Sequence, residues 1–221
     1  MAKLKNQPLP DYTRGEEIFN MVTHIVGGAL GIAMLAILVV FSALKGDPWA
    51  VASSSVYGAA LVIMFSISSI YHGLHASAGK KVMRIIDHCD IYFLIAGTYT
   101  PILLVSIRPK YPVAAWVVFG IEWGLSALAV TLNAVDMNKF KIFSMICYIG
   151  MGWGIIFVLK QTVEVMTVPG FMLLLAGGVA YTVGAVLFGL GSKIRYLHSV
   201  FHIFVVVGSV LQFFAILFYV L

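Results

Sequence analysis

The sequence predicts an all-α membrane protein: a bundle of seven transmembrane helices with its N-terminus in the cytoplasm and its C-terminus outside. Of its 221 residues, 61% are hydrophobic and only 10% are charged, whereas soluble domains carry about 25% charged residues. The mean hydropathy of +1.01 also lies far above the soluble range. This composition excludes disordered, collagenous, disulfide-stapled and soluble single-core proteins.

Seven apolar stretches alternate with short polar connectors, and each stretch reaches the length of about 20 residues that a spanning helix needs. They cover residues 18–43, 49–72, 86–107, 112–132, 141–160, 168–190 and 197–220. Glycine, proline and charged residues fill the connectors, as in Lys45-Gly-Asp-Pro48, and such residues end helices. We expect one transmembrane domain over residues 18–221, preceded by a cytoplasmic segment of residues 1–17.

Lysine and arginine are unevenly distributed between the two sides of the predicted bundle. The N-terminal side carries ten of the 14 basic residues, and the opposite side carries the other four. Cytoplasmic loops collect such residues, which predicts a cytoplasmic N-terminus. No basic run is longer than Lys80–Lys81, so a net charge of +5 points to membrane lipids as partners and not to nucleic acid. The two cysteines, Cys89 and Cys147, do not suggest a disulfide framework.

Small residues recur at helical spacing in several of the predicted spans. Glycines four residues apart let helices approach closely where lipid provides no hydrophobic drive, and we expect this role for the pairs Gly120/Gly124 and Gly150/Gly154 and for Gly177, Gly178, Gly184 and Gly189. Pro101 is expected to kink the third span, with Thr98 and Thr100 available to bond the freed backbone groups.

Ionisable residues inside a spanning helix are costly, so they are the first candidates for function. His198 and His202 are four residues apart, a spacing that places both imidazoles on one helix face and within reach of one metal ion. Ser68 and His72 share that spacing on the second span. A lone buried histidine or serine is commonly only hydrogen-bonded, so each pair by itself leaves a structural role open.

Two further groups of polar residues lie on the same side of the predicted bundle. Asp87-His88-Cys89-Asp90 opens the third span, where one acidic residue can be explained by the helix dipole. Glu17, Asn20 and His24 share one face of the first span and can serve either a site or hydrogen bonds between helices. All intramembrane histidines then lie within about two turns of the cytoplasmic face. Three neutral histidines with a carboxylate nearby fit a catalytic zinc site that keeps one open position. Cys89 could compete as a soft ligand, but its apolar neighbours favour an inert thiol.

These motifs resemble those of the haemolysin III family of bacterial inner-membrane proteins. The residues that carry the resemblance run from Glu16 to the C-terminus: Glu16-Glu-Ile-x-Asn20-x-x-Thr-His24, Ser68-x-x-x-His72, Asp87-His88-Cys-x-Ile-Tyr-x-Leu-Ile-Ala-Gly-Thr-Tyr-Thr-Pro101, Gly150-Met-Gly-Trp153 and His198-x-x-x-His202. That family is similar to the progestin and adiponectin receptors and, more remotely, to alkaline ceramidases.

The resemblance implies a seven-helix bundle with Zn²⁺ near the cytoplasmic face of the inner membrane. It implies His72, His198 and His202 as zinc ligands, Asp87 as the residue that contacts the water on the zinc, and Ser68 as a supporting partner behind it. A zinc-dependent hydrolase of a lipid amide or ester, acting in membrane lipid homeostasis, would follow from this set. The resemblance implies no ligand role for Glu17, Asn20 or His24.

Three other functions stay open on the sequence alone. The zinc could be structural in a sensor or regulator of membrane lipid composition. A cytolytic pore is suggested by the family name, but a chain this hydrophobic cannot first be soluble, and its polar groups cluster at one end and do not line a stripe. A transporter is conceivable, although no half-to-half repeat supports it.

Overall fold

A computed structural model describes residues 8–191 and 194–221 of the chain, and every described element is helical. The seven α-helices are α1 (Arg14–Lys45), α2 (Pro48–Gly73), α3 (Ala78–Pro101), α4 (Pro112–Asp136), α5 (Lys141–Gly152), α6 (Leu159–Leu190) and α7 (Leu197–Tyr219). A π-helical segment, Ile102–Ile107, continues α3, and a 3₁₀ segment, Gly154–Val158, joins α5 to α6. Lys3, Lys5 and Lys193, which contribute to the predicted orientation, lie outside the described residues.

Helix boundaries follow the capping chemistry of the sequence. Thr13 and Glu16 form a reciprocal capping box at the start of α1, which therefore begins at Arg14, ahead of the apolar stretch. Gly46 ends α1 with φ 70°, a left-handed conformation that glycine adopts without steric cost. Asp47 then caps α2 by accepting from the Trp49 N–H, and Pro48 occupies the first helical position.

The third helix begins earlier than the apolar pattern predicts. Ser77 caps α3 by accepting from the Lys80 N–H, so the helix begins at Ala78 and not near residue 86. Asp87 consequently lies more than two turns inside α3, and the expectation that it stands at the helix start is wrong. Its carboxylate is therefore not explained by capping. The first turns of α3 are charged, so hydropathy alone does not predict this part of the helix.

Six helical segments among the described residues are long and apolar enough to cross a membrane. The sequence predicts seven spans, and the difference arises at Lys141–Leu190, a helical segment of 50 residues. It contains an internal break at Thr167, where φ is 62° and ψ is 168°, two residues before Pro169.

The close helix contacts differ from those that glycine spacing predicts. Apart from its own helix backbone, a Cβ atom added at Gly120, Gly124 or Gly150 would meet no atom of the described residues within 4 Å, and the same holds for Gly178 and Gly189. Their predicted packing role within the chain is therefore wrong. Gly58 lies instead against α1, where an added Cβ would stand 2.8 Å from the Leu35 Cα. Added Cβ atoms at Gly154, Gly177 and Gly184 do meet neighbouring side chains, as the spacing predicts.

Candidate metal centre

Three buried histidines from two helices meet at one end of the bundle. His72 comes from the last turns of α2, and His198 and His202 come from the first turns of α7. One ring nitrogen from each lies within 4.8 Å of the others, so this group could bind a metal ion. The i,i+4 spacing on α7 brings the last two together, with 3.1 Å between their Nε2 atoms.

The donor geometry fits a small metal ion. Two nitrogens bound tetrahedrally to one zinc at about 2.0–2.1 Å would stand about 3.3 Å apart, close to the separation on α7. The Nε2 atom of His72 is buried and has no hydrogen-bond partner among the described residues. A buried nitrogen without a partner costs free energy, and coordination of a metal would satisfy it.

The other ring nitrogen of His72, Nδ1, contacts a residue outside the three-histidine group. Its Nδ1 lies 2.7 Å from the Glu17 Oε2, and the Glu17 Oε1 accepts a 2.6 Å hydrogen bond from the Lys80 ammonium. The Lys80 side chain is only 6% exposed and also donates to the Leu74 carbonyl. From the sequence alone, Lys80 is expected to be a connector charge, and Glu17 can serve either a site or hydrogen bonds between helices.

The N-terminal strap, which we define as residues 8–13, lies over the histidines. The Tyr12 ring stacks on His198 with 4.9 Å between centroids and 22° between planes. Arg84 anchors the strap by donating to the Pro8 carbonyl, and Arg195 does so by donating to the Asp11 carbonyl. Burial raises the pKa of the Tyr12 phenol, so the ring over the histidines stays uncharged in the physiological pH range. No sequence signal marked this tyrosine.

A cavity of about 150 Å³ extends from the histidines into the bundle. Its polar end includes Ser68, Asp87, His198 and His202. The rest of its lining is mainly aliphatic and aromatic, with Leu94, Ile102, Ile149, Leu174 and Val205 among its members. Four of the five residues predicted for the site thus line one cavity, and the fifth, His72, belongs to the three-histidine group without lining the cavity.

Three other predicted candidates have different surroundings. His24 lines the cavity and stacks on His202 with 3.7 Å between ring centroids. It is outside the three-histidine group, and so is His88, which also lines the cavity. Cys89 is a buried free thiol whose Sγ contacts the Val130 carbonyl, and it does not join the group as a competing ligand.

The matching family model and the curated relatives point to the same protein family. The family described as haemolysin-III related matches residues 12–213. Hemolysin-3 of Bacillus cereus is 40% identical over 206 residues, which cover 93% of this chain and 92% of that protein. The Hemolysin-3 homolog of Bacillus subtilis (strain 168) is 35% identical over 208 residues, covering 94% and 96%. The Monocyte to macrophage differentiation factor of Homo sapiens is 28% identical over 211 residues, covering 91% and 83%. No solved structure matches this chain significantly.

Proposed function

The chain belongs to the haemolysin-III related family, and on that premise we propose that it is a zinc-dependent hydrolase of a lipid amide or ester in the bacterial inner membrane. The observation that carries the proposal is the buried group of His72, His198 and His202 next to a largely apolar cavity that contains Asp87. Three neutral imidazoles leave one coordination position open, which is the pattern of catalytic zinc sites.

The proposal includes seven membrane crossings. At about 1.5 Å per residue, a helix of 50 residues would be about 75 Å long, more than twice the hydrocarbon thickness of about 30 Å. The break at Thr167 supports two crossings within Lys141–Leu190. With seven crossings, the excess of Lys and Arg on one side supports a cytoplasmic N-terminus. The histidines then lie near the cytoplasmic face, because α7 begins on that side.

The chemistry divides between the metal and two side chains of this chain. When bound, zinc supplies Lewis-acid chemistry that activates water near neutral pH and polarises a carbonyl group. Asp87 accepts the proton of the attacking water, and the Ser68 hydroxyl donates a hydrogen bond to the oxyanion that develops on the carbonyl. Water oxygen adds to the carbonyl carbon, the C–N or C–O bond breaks, and Asp87 returns the proton to the leaving amine or alcohol.

The shape of the cavity favours a substrate with an acyl chain. On α7 its lining runs from His198 to Gln212, and the segment from His202 to Gln212 alone corresponds to about 15 Å at 1.5 Å per residue. One leaflet of a bilayer has about the same depth, half of about 30 Å. The apolar wall is therefore long enough for a hydrocarbon chain to lie along it with its carbonyl carbon beside the histidines.

Elemental analysis of detergent-purified protein tests the metal. We expect about one zinc per chain in the wild type and none in the His198→Ala/His202→Ala variant. His75→Ala is the matched control, since His75 is exposed and outside the three-histidine group. It should keep its zinc. A folded wild-type protein, purified without chelators, that contains no zinc would overturn the proposal.

Lipid hydrolysis tests the role of the carboxylate. Asp87→Asn should keep the zinc and lower the rate by about 10²–10⁴-fold, the usual contribution of a positioned acid or base. Asp90→Asn is the control, because Asp90 is another carboxylate of α3 but is buried and does not line the cavity. An unchanged rate in Asp87→Asn would remove Asp87 from the mechanism.

A lipid sensor with structural zinc is the second candidate. It is favoured by the connection that the histidines make between α2 and α7, since a metal bound there would hold those helices together. This function predicts that zinc removal changes helix packing and that no lipid is turned over by wild-type protein. A cytolytic pore instead predicts lysis at protein concentrations below those of detergent-like damage.

A further inference from the structure

We infer that Glu17 is a positioning residue that sets the tautomer of His72 and thereby prepares its Nε2 for a metal ion. The inference rests on the metal-binding part of the proposed function and is independent of lipid hydrolysis. It concerns a residue for which the family resemblance implies no ligand role.

The contact between Glu17 and His72 determines which ring nitrogen carries the proton. The Glu17 Oε2 lies 2.7 Å from the His72 Nδ1, and an ionised carboxylate can only accept. The Nδ1 atom must therefore donate. In a neutral ring this leaves the lone pair on Nε2, the atom that is buried and without a partner among the described residues.

Lys80 compensates the charge of the Glu17 carboxylate and holds it in place. Its ammonium donates to the other carboxylate oxygen at 2.6 Å, and its second hydrogen bond, to the Leu74 carbonyl, fixes it to the end of α2. The Glu17 side chain is 20% exposed and the His72 side chain is fully buried. An unpaired carboxylate in this setting would be costly, and the ammonium offsets that cost.

The contacts from Lys80 to Glu17 and from Glu17 to His72 match those that commonly orient a metal-binding histidine. A carboxylate that accepts from the distal ring nitrogen orients the imidazole and raises its basicity, and its loss commonly lowers metal affinity about 10–100-fold. Glu17 belongs to α1, His72 to α2 and Lys80 to α3. Three helices thus contribute to the orientation of one imidazole.

Zinc affinity, measured by competition with a chelating dye, is the first test. Glu17→Ala should bind zinc about 10–100-fold more weakly than the wild type, and Glu17→Gln should lose less because its amide oxygen still accepts from Nδ1. Glu164→Ala is the matched control, because Glu164 also pairs with a lysine, Lys110, but has no histidine partner. It should bind zinc like the wild type.

A double-mutant cycle separates positioning from general stability. In a His72→Ala background, Glu17→Ala should lower zinc affinity no further, because the ring on which it acts is absent. An equal loss in both backgrounds would overturn the inference, as would wild-type affinity in Glu17→Ala.

The tautomer itself can be measured on zinc-free protein. In ¹⁵N-histidine NMR spectra, with the His72 signals assigned by comparison with His72→Ala, the wild type should show His72 protonated at Nδ1. Glu17→Gln, which preserves side-chain size if Glu17→Ala does not fold, should show a lower population of that tautomer. This measurement also decides the inference if no form of the protein binds zinc. His72 protonated at Nε2 in the wild type would refute it.

Discussion

Replacement of Tyr12 by alanine should speed the loss of metal from the histidine group. The Tyr12 ring stacks on His198 at 4.9 Å and lies 5.9 Å from His72, so an ion leaving toward the strap must first displace it. Aromatic pairs of this kind contribute about 0.5–1.5 kcal/mol. If the stack breaks before the metal leaves, the rate of release should rise about 2- to 13-fold, with RT about 0.59 kcal/mol.

Stopped-flow transfer of zinc to an excess of a coloured chelator measures this rate. Tyr12→Phe keeps the ring, and the described structure gives the Tyr12 hydroxyl no hydrogen bond, so this variant should release zinc like the wild type. A release rate in Tyr12→Ala equal to or below that of the wild type would refute the idea that the strap closes the site. A faster rate in Tyr12→Phe as well would show that the hydroxyl, and not the stack, is responsible.

Three further predictions concern stability. Zinc at 100 times its dissociation constant should stabilise the protein by about 2.7 kcal/mol and raise Tm by about 5–11 °C, whereas His198→Ala/His202→Ala should show no zinc-dependent shift. In thermal unfolding, Gly58→Ala should destabilise because overpacking against α1 costs about 1–3 kcal/mol, while Gly120→Ala should stabilise by about 0.5–1 kcal/mol through helix propensity; the reverse order would contradict the assigned contacts. Glu164 raises the pKa of Lys110 above its ordinary 10.5, so the stability from this pair is present below that pH and is lost as pH rises through the raised pKa. Glu164→Gln should remove this part of the alkaline decline in Tm, and an unchanged decline would rule the pair out as its source.

The features that sequence analysis predicted well depend on local pattern. Apolar stretches predicted helices, and a glycine followed by Asp47 and Pro48 predicted the end of one helix and the start of the next. The spacing of His198 and His202 predicted a shared helix face, and their Nε2 atoms are 3.1 Å apart. Each of these follows from the fixed geometry of a single helix.

Predictions that depend on how neighbouring helices pack were less accurate. The spacing of Gly120 and Gly124 shows a small-residue face but not whether another helix lies on it, and none of the described chain does. The position of Lys80 in a connector predicts an orienting charge, yet its side chain is buried against Glu17. Asp87 was placed at a helix start because the charged turns of α3 before it do not look apolar.

The sequence by itself therefore determined the class of protein, its helices and the residue types available for a metal. Hydropathy and helical period are properties of consecutive residues, so they can be read without a fold. Only the tertiary structure places His72 of α2 beside the two histidines of α7, Glu17 and Lys80 next to His72, and the Tyr12 ring against His198. Those distances depend on how helices remote in sequence pack against one another, because side-chain volumes and contacts between helices, and not the spacing along any one of them, decide which polar atoms meet.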